Sequence, residues 1–280
     1  MTPHTPDQVR ALVEIAEALA REAGALVSDG RRNVTVSATK SSAQDVVTAM
    51  DFASEALLRT RLAELRPHDA ILGEEEAFHP GTSGITWVVD PIDGTVNYLY
   101  GHSPYAVSVA AVMGPDPTVA PDPATWTALA GAVFSPEDGR SFTAGLGLGA
   151  TLDGRVLRVN PPRSLIDSLV GTGFGYVASR RRVQGRIVAE LLPRVRDIRR
   201  AGCASLDLCA VAAGGLDLYY ERGLQPWDLA AGALIAQEAG AQVTGLRGGQ
   251  AQEAMTVAGV PGAVEELRSI LESLDADSDA

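Results

Sequence analysis

Asp90 and Asp93 close an apolar run in WVVDPIDGTVNY, residues 87–98, and flank Pro91 and Ile92. Taken alone, DPIDGT is more often a turn than a site, because proline ends a strand ladder and Asp-Gly is a common turn pair. Three further features add a chemical reading. A strand ending at Asp90 delivers both carboxylates to its C-terminal edge, where α/β proteins bind ligands. Gly94 and Thr95 follow where a turn or helix start can present bare backbone N–H groups to a phosphate. More carboxylates stand at other strand ends: Glu74, Glu75 and Glu76 after AILG, and Asp228 after Trp227.

Each of these has a plainer alternative. Three successive glutamates usually make a solvated turn, and Asp228, two residues after Pro226, suits a helix N-terminus. Capping and metal binding need not exclude each other, since an ionised carboxylate accepts several bonds. An all-oxygen donor set points to a hard cation, Mg²⁺ before others. His4, His68, His79 and His102 lack zinc-site spacing and read as surface residues.

The surrounding elements follow from periodicity. Thr5-Pro6-Asp7-Gln8 fits a capping box, and Val9, Leu12, Val13, Ala16, Leu19, Ala20 and Ala23 recur at helical steps. Asp51 is expected to open a second helix that stops at Pro67. AILG, a strand ITWVVD ending at Asp90, and YAVSVAAVMG read as strands, and the region to about residue 158 is β-rich with Gly and Asp-Gly turns. The Pro- and Asp-rich loop 114–125 has no evident role. From Ser164 the pattern alternates strand and helix, so the class is α/β with a sheet in each half. Residues 1–273 are expected to form one unit, with lobes of about 1–150 and 151–273, and the acidic tail 274–280 to be disordered.

The 280 residues carry 23 Lys plus Arg against 35 Asp plus Glu, a formal charge of −12. That field disfavours direct nucleic-acid contact and anionic membranes. It also demands cations at any phosphate site. Cys203 and Cys209 lack metal or redox spacing and read as buried thiols of a reducing compartment. No stretch approaches the roughly 18 apolar residues of a membrane span, so a cytoplasmic, soluble protein is expected.

The sequence resembles the inositol monophosphatase family of Mg²⁺-dependent, lithium-sensitive phosphatases, in particular its bacterial, actinobacterial branch. The resemblance rests on GEE at 73–75, WVVDPIDGTVNY at 87–98 and WDLAAGALIAQEAGA at 227–241, in the family's order. KSSAQDVVTAMD at 40–51, GTGFG at 171–175 and the segment 199–223 support it. It implies a layered αβαβα sandwich, homodimers, and two or three Mg²⁺ ions held by Glu74, Asp90, the Ile92 carbonyl, Asp93 and Asp228. By the same resemblance Asp51 and Thr95 orient and deprotonate the attacking water, with Glu75 behind the metal ligands. Gly94 and Thr95 hold the phosphate, while Asp93, the Cys203-Ala204 pair and Glu221 face the alcohol. Lys40 lies on a loop that approaches the site in this family. Tyr98 departs from the usual Phe, and Cys203 from a small hydroxyl residue.

Glu221 favours a polyol ester such as myo-inositol 1-phosphate. Arg180, Arg181 and Arg182 read either as a solvated helix start or as recognition of a second phosphate, as in fructose 1,6-bisphosphate, 3′-phosphoadenosine 5′-phosphate or NADP. Histidinol phosphate is a further candidate, and a regulatory partner role is the non-catalytic alternative.

Overall fold

Thr5 and Gln8 make the expected capping box, with the Gln8 N–H donating to Thr5 Oγ1 at 3.3 Å and the Thr5 N–H to Gln8 Oε1 at 2.8 Å. The computed structural model describes residues 4–31, 36–39, 46–116 and 118–279; Lys40 lies outside them. From that cap runs α1 (Pro6–Gly30), followed by β1 (Val36–Thr39), β2 (Val46–Thr48), α2 (Ala49–Leu65), β3 (Ala70–Gly73), β4 (Thr86–Asp93) and α3 (Thr95–Leu99). The β-rich middle comprises β5 (Ala106–Met113), β6 (Thr127–Ser135), β7 (Arg140–Gly145), β8 (Gly149–Leu152) and β9 (Arg155–Val156). Then come β10 (Leu169–Thr172), α4 (Ala178–Leu191), β11 (Asp197–Arg199), α5 (Ala204–Ala212) and β12 (Leu218–Glu221). The chain continues through α6 (Pro226–Glu238), β13 (Gln242–Thr244), β14 (Thr256–Gly259) and α7 (Ala263–Ser273).

The larger sheet runs β3 to β9 in sequence order, with β3 parallel to β4 and every later pair antiparallel. The smaller has the order β11-β10-β12-β14-β13, in which β10 lies parallel to both β11 and β12. Alternation along the strands assigns each sheet face to a helical layer. Val89, Val107 and Val109 pack under α1 and α2 with Leu19, Ala23 and Leu58. From the opposite face Val88, Ala110 and Val133 meet Cys209, Ala231, Leu234 and Ile235 of α5 and α6. The other side of that helical pair, through Leu208, Val211 and Leu229, covers Tyr219 and Ala258 of the smaller sheet. Leu218, Tyr220 and Val257 point away, toward Ile187, Leu191, Leu267 and Leu271 of α4 and α7. The layers therefore stack α, β, α, β, α, as the resemblance implies. Burying each large aliphatic side chain in these interfaces contributes about 1.5–3 kcal/mol.

Three local expectations need correction. The strand expected to end at Asp90 continues to Asp93, because Pro91 is absorbed in a bulge: pairing with β5 lapses after Asp90↔Ser108 and resumes at Asp93↔Ala106. The second helix starts at Ala49 rather than Asp51, with Thr48 as its cap. Asp51 is the third helical residue and accepts from the Thr48 N–H at 2.8 Å and Thr48 Oγ1 at 2.5 Å. The described part of the acidic tail, to Asp279, is docked rather than disordered. Ala276 is buried, Asp277 pairs with Arg247 through two bonds of 2.6 and 3.0 Å, and Asp279 meets Arg180 and Arg222. A run read only by composition hides the arginines that receive it.

Candidate active site

The bulge in β4 turns two carboxylates into one cavity. Between them the Ile92 N–H donates to Asp90 Oδ1 at 3.0 Å, and the buried Ser54 hydroxyl holds the Pro91 carbonyl at 3.1 Å. Asp228 arrives from the first turn of α6, where its Oδ2 caps the helix by accepting from the Gln225 N–H at 2.7 Å. Asp90, Asp93 and Asp228 each offer an oxygen such that all three lie within 4.8 Å of one another. Glu74, at the end of β3, lines the same cavity of about 450 Å³.

Asp93 is fixed by the N-terminus of α5. Its Oδ2 accepts from the Ser205 N–H at 2.7 Å, Ser205 Oγ at 2.5 Å and the Cys203 thiol at 3.1 Å, and its Oδ1 accepts from the Ala204 N–H at 3.3 Å. Cys203, expected to face the alcohol, is buried against this carboxylate, and burial with the Asp93 charge pushes its thiol well above its ordinary pKa. Ala204 lines the cavity. Burial, and then the charges of Asp93 and Glu74, push Asp228 well above the carboxylate range. Three crowded carboxylates suit a hard divalent cation, which would offset their repulsion.

Beside this floor Thr95 Oγ1 lies 3.2 Å from Asp51 Oδ1 and 3.0 Å from the Ile92 carbonyl. Gly94 precedes it at φ +92°, and a side chain there would press on the Pro104 and Gly202 carbonyls, 3.0 and 3.2 Å from its Cβ. Glu75 sits with Glu74 on the turn after β3. That turn is held by Glu55, a fully buried α2 residue that accepts from the Glu75 N–H at 2.8 Å and the Glu76 N–H at 3.0 Å. Arg59 balances the Glu55 charge at 2.8 Å.

Across the cavity stands Glu221, on the β12 face turned toward the middle helices. Tyr219, two residues earlier on the same face, donates its hydroxyl to Glu221 Oε2 at 2.6 Å. Burial raises Glu221 to about 7, against the pull of Tyr219 and Arg200. A side chain at Gly173 would overlap the Glu221 carboxylate and push it aside. Behind it Asp207 is raised to about 8 by burial and by the Glu221 and Asp93 charges, and its Oδ2 is buried with no hydrogen-bond partner. Arg180, Arg200 and Arg222 line the cavity as a basic wall. Of the arginine run only Arg180 does so: Arg181 donates to the Gly175 carbonyl at 2.6 Å, and Arg182 is exposed.

The sequence profile of the inositol monophosphatase family matches residues 8–276. The chain belongs to this family. Its members are metal-dependent phosphatases that act on small phosphorylated substrates. The inositol-1-monophosphatase of Mycobacterium leprae is 43% identical, the match covering 95% of this chain and 94% of that one. The solved structure of Mycobacterium tuberculosis SuhB superposes with a TM-score of 0.79 at 44% identity, covering 96% and 98% of the two chains. A Xylella fastidiosa relative bearing the name Nus factor SuhB is 37% identical over 85% of this chain and 83% of its own.

Several supporting residues escaped the sequence reading. Glu55 sits inside a helix where a glutamate reads as solvent-facing, so nothing in its spacing marks it. Ser205 could have been found, since a serine opening a small-residue helix commonly binds backbone or carboxylate groups. Asn97, which bridges the Pro104 and Ala201 carbonyls at 2.7 and 2.9 Å, lies within the motif itself.

Proposed function

We propose that this chain is a Mg²⁺-dependent phosphomonoesterase whose preferred substrate is a small polyol phosphate, foremost myo-inositol 1-phosphate. The observation that carries the reading is the convergence of Asp90, Asp93 and Asp228 within 4.8 Å, in a cavity also lined by Thr95 and Glu221. Glu74, Asp90, the Ile92 carbonyl, Asp93 and Asp228 would hold two or three ions. When bound, Mg²⁺ supplies a lowered water pKa and offsets charge on the phosphoryl oxygens.

The remaining work falls to the chain. Thr95 Oγ1 passes its proton toward Asp51 Oδ1, which leaves its lone pair free to orient and draw a proton from the attacking water. Glu75, on the turn that Glu55 holds, supplies the carboxylate behind the metal ligands. The Gly94 and Thr95 N–H groups bind phosphoryl oxygens as charge develops on them. Ala204 and Asp93 border the alcohol, and Glu221 accepts from its vicinal hydroxyls.

Phosphate release at saturating Mg²⁺, with an EDTA control, tests the reading on five esters: myo-inositol 1-phosphate, fructose 1,6-bisphosphate, histidinol phosphate, 3′-phosphoadenosine 5′-phosphate and NADP. The inositol ester should lead. No metal-dependent release from any would sink the proposal and favour a transcription-partner role of the kind that the Xylella relative's name carries. The same reading makes the protein a cytoplasmic homodimer inhibited by Li⁺, to be checked by sedimentation and inhibition.

A further inference from the structure

Arg180 and Arg222 reach the cavity wall from the first turn of α4 and the end of β12. Their guanidinium groups converge on one acceptor. Asp279 Oδ1 lies 3.2 Å from Arg180 Nε and 2.8 Å from Arg222 Nη1, and Arg222 also donates to the Ser278 carbonyl. Two cations 42 positions apart in the chain thus already share one anion. That arrangement is an anion site, and a carboxylate of the chain itself fills it.

The occupant is less firmly held than its hosts. The Asp279 side chain is 58% exposed, against 9% for Arg222 and 22% for Arg180. Its neighbour Asp277 is anchored separately on Arg247. Glu253 adds a second carboxylate 4.0 Å from Arg180. Guanidinium pairs favour phosphate oxygens as readily as carboxylates. A substrate carrying a second phosphate would therefore have to displace Asp279, whereas a neutral polyol meets no such competitor.

We infer that Asp279 is a specificity-determining residue: by occupying Arg180 and Arg222 it selects for esters with one phosphate and against those with two. This rests on the phosphate-ester reading above. The test compares the full chain with Asp279→Asn and with Asp279→Asn/Arg180→Ala. Calorimetry gives Kd for fructose 1,6-bisphosphate and for myo-inositol 1-phosphate, with Ca²⁺ in place of Mg²⁺ to slow turnover, and phosphate release with Mg²⁺ is followed in parallel.

The ratio of bisphosphate to monophosphate affinity should rise about tenfold in Asp279→Asn, the size of one charge-assisted hydrogen bond. It should fall back in the double variant. An unchanged ratio, an equal gain in the double variant, or binding of neither ester overturns the inference. Phosphate release absent from both esters would count against the hydrolase reading alone, since the Kd ratio still decides the role of Asp279.

Discussion

The floor and the wall of the cavity are built in opposite ways. On the floor, Asp90 at the β4 bulge, Asp93 at the end of that strand and Asp228 in the first turn of α6 are held by neighbouring N–H groups and the Ser205 hydroxyl. On the wall, Arg180 and Arg222 are long side chains positioned by an acidic partner from the far end of the chain. Backbone-held groups tolerate little change, while ion-paired ones can exchange partners. The floor is thus held by bonds that fix it in place, and the wall by ion pairs that can be exchanged.

Asp93→Asn should break the floor most severely, lowering kcat/KM by about a hundredfold or more, beyond what loss of a group supporting a metal ligand costs. A variant hydrolysing at the native rate would remove Asp93 from the metal set. Ser205→Ala keeps every proposed ligand but removes the 2.5 Å bond to Asp93, and the Mg²⁺ concentration for half-maximal rate should rise about tenfold. An unchanged Mg²⁺ dependence would mean that α5 does not position Asp93.

The pH dependence of the metal-free protein probes the ground between floor and wall. Glu221 at about 7 and Asp207 at about 8 hold protons more tightly folded than unfolded, where carboxyls titrate near about 4. Their stabilisation is present below the unfolded value and is lost as pH rises through the folded values. In EDTA, Tm should accordingly be lower at pH 8.5 than at pH 5.5, and Asp207→Asn should flatten the difference; equal Tm values in the parent would mean that neither carboxyl is shifted. The smallest effect belongs to Arg182→Ala, which should leave kcat/KM for both mono- and bisphosphates within about twofold, as exposed substitutions do. A larger change would bring the whole arginine run into the wall.

The same contrast explains what the sequence made legible. The capping box at Thr5, the convergence of the motif carboxylates with Asp228, and the two sheets follow from local patterns. Glu55 and Asp279 could not be read that way. Apart from Arg59, one turn on from Glu55, their partners lie 20 residues or more away, and a buried glutamate or a paired tail aspartate looks like a solvated one until the chain is folded. The bulge at Pro91 was hidden for a different reason: proline marks where a ladder is interrupted, and gives no sign that pairing resumes at Asp93.

The middle helices have a consequence of their own. Cys209, Ala231 and Ile235 lie under the larger sheet, while Leu208, Val211 and Leu229 lie under the smaller. Unravelling of either sheet would strip one side of α5 and α6 and expose small apolar residues to water. Local openings in one half should therefore spread to the other, and hydrogen exchange in both sheets should share one opening free energy. Asp93 and Asp228, attached to the ends of those helices, are assembled only when the whole stack is.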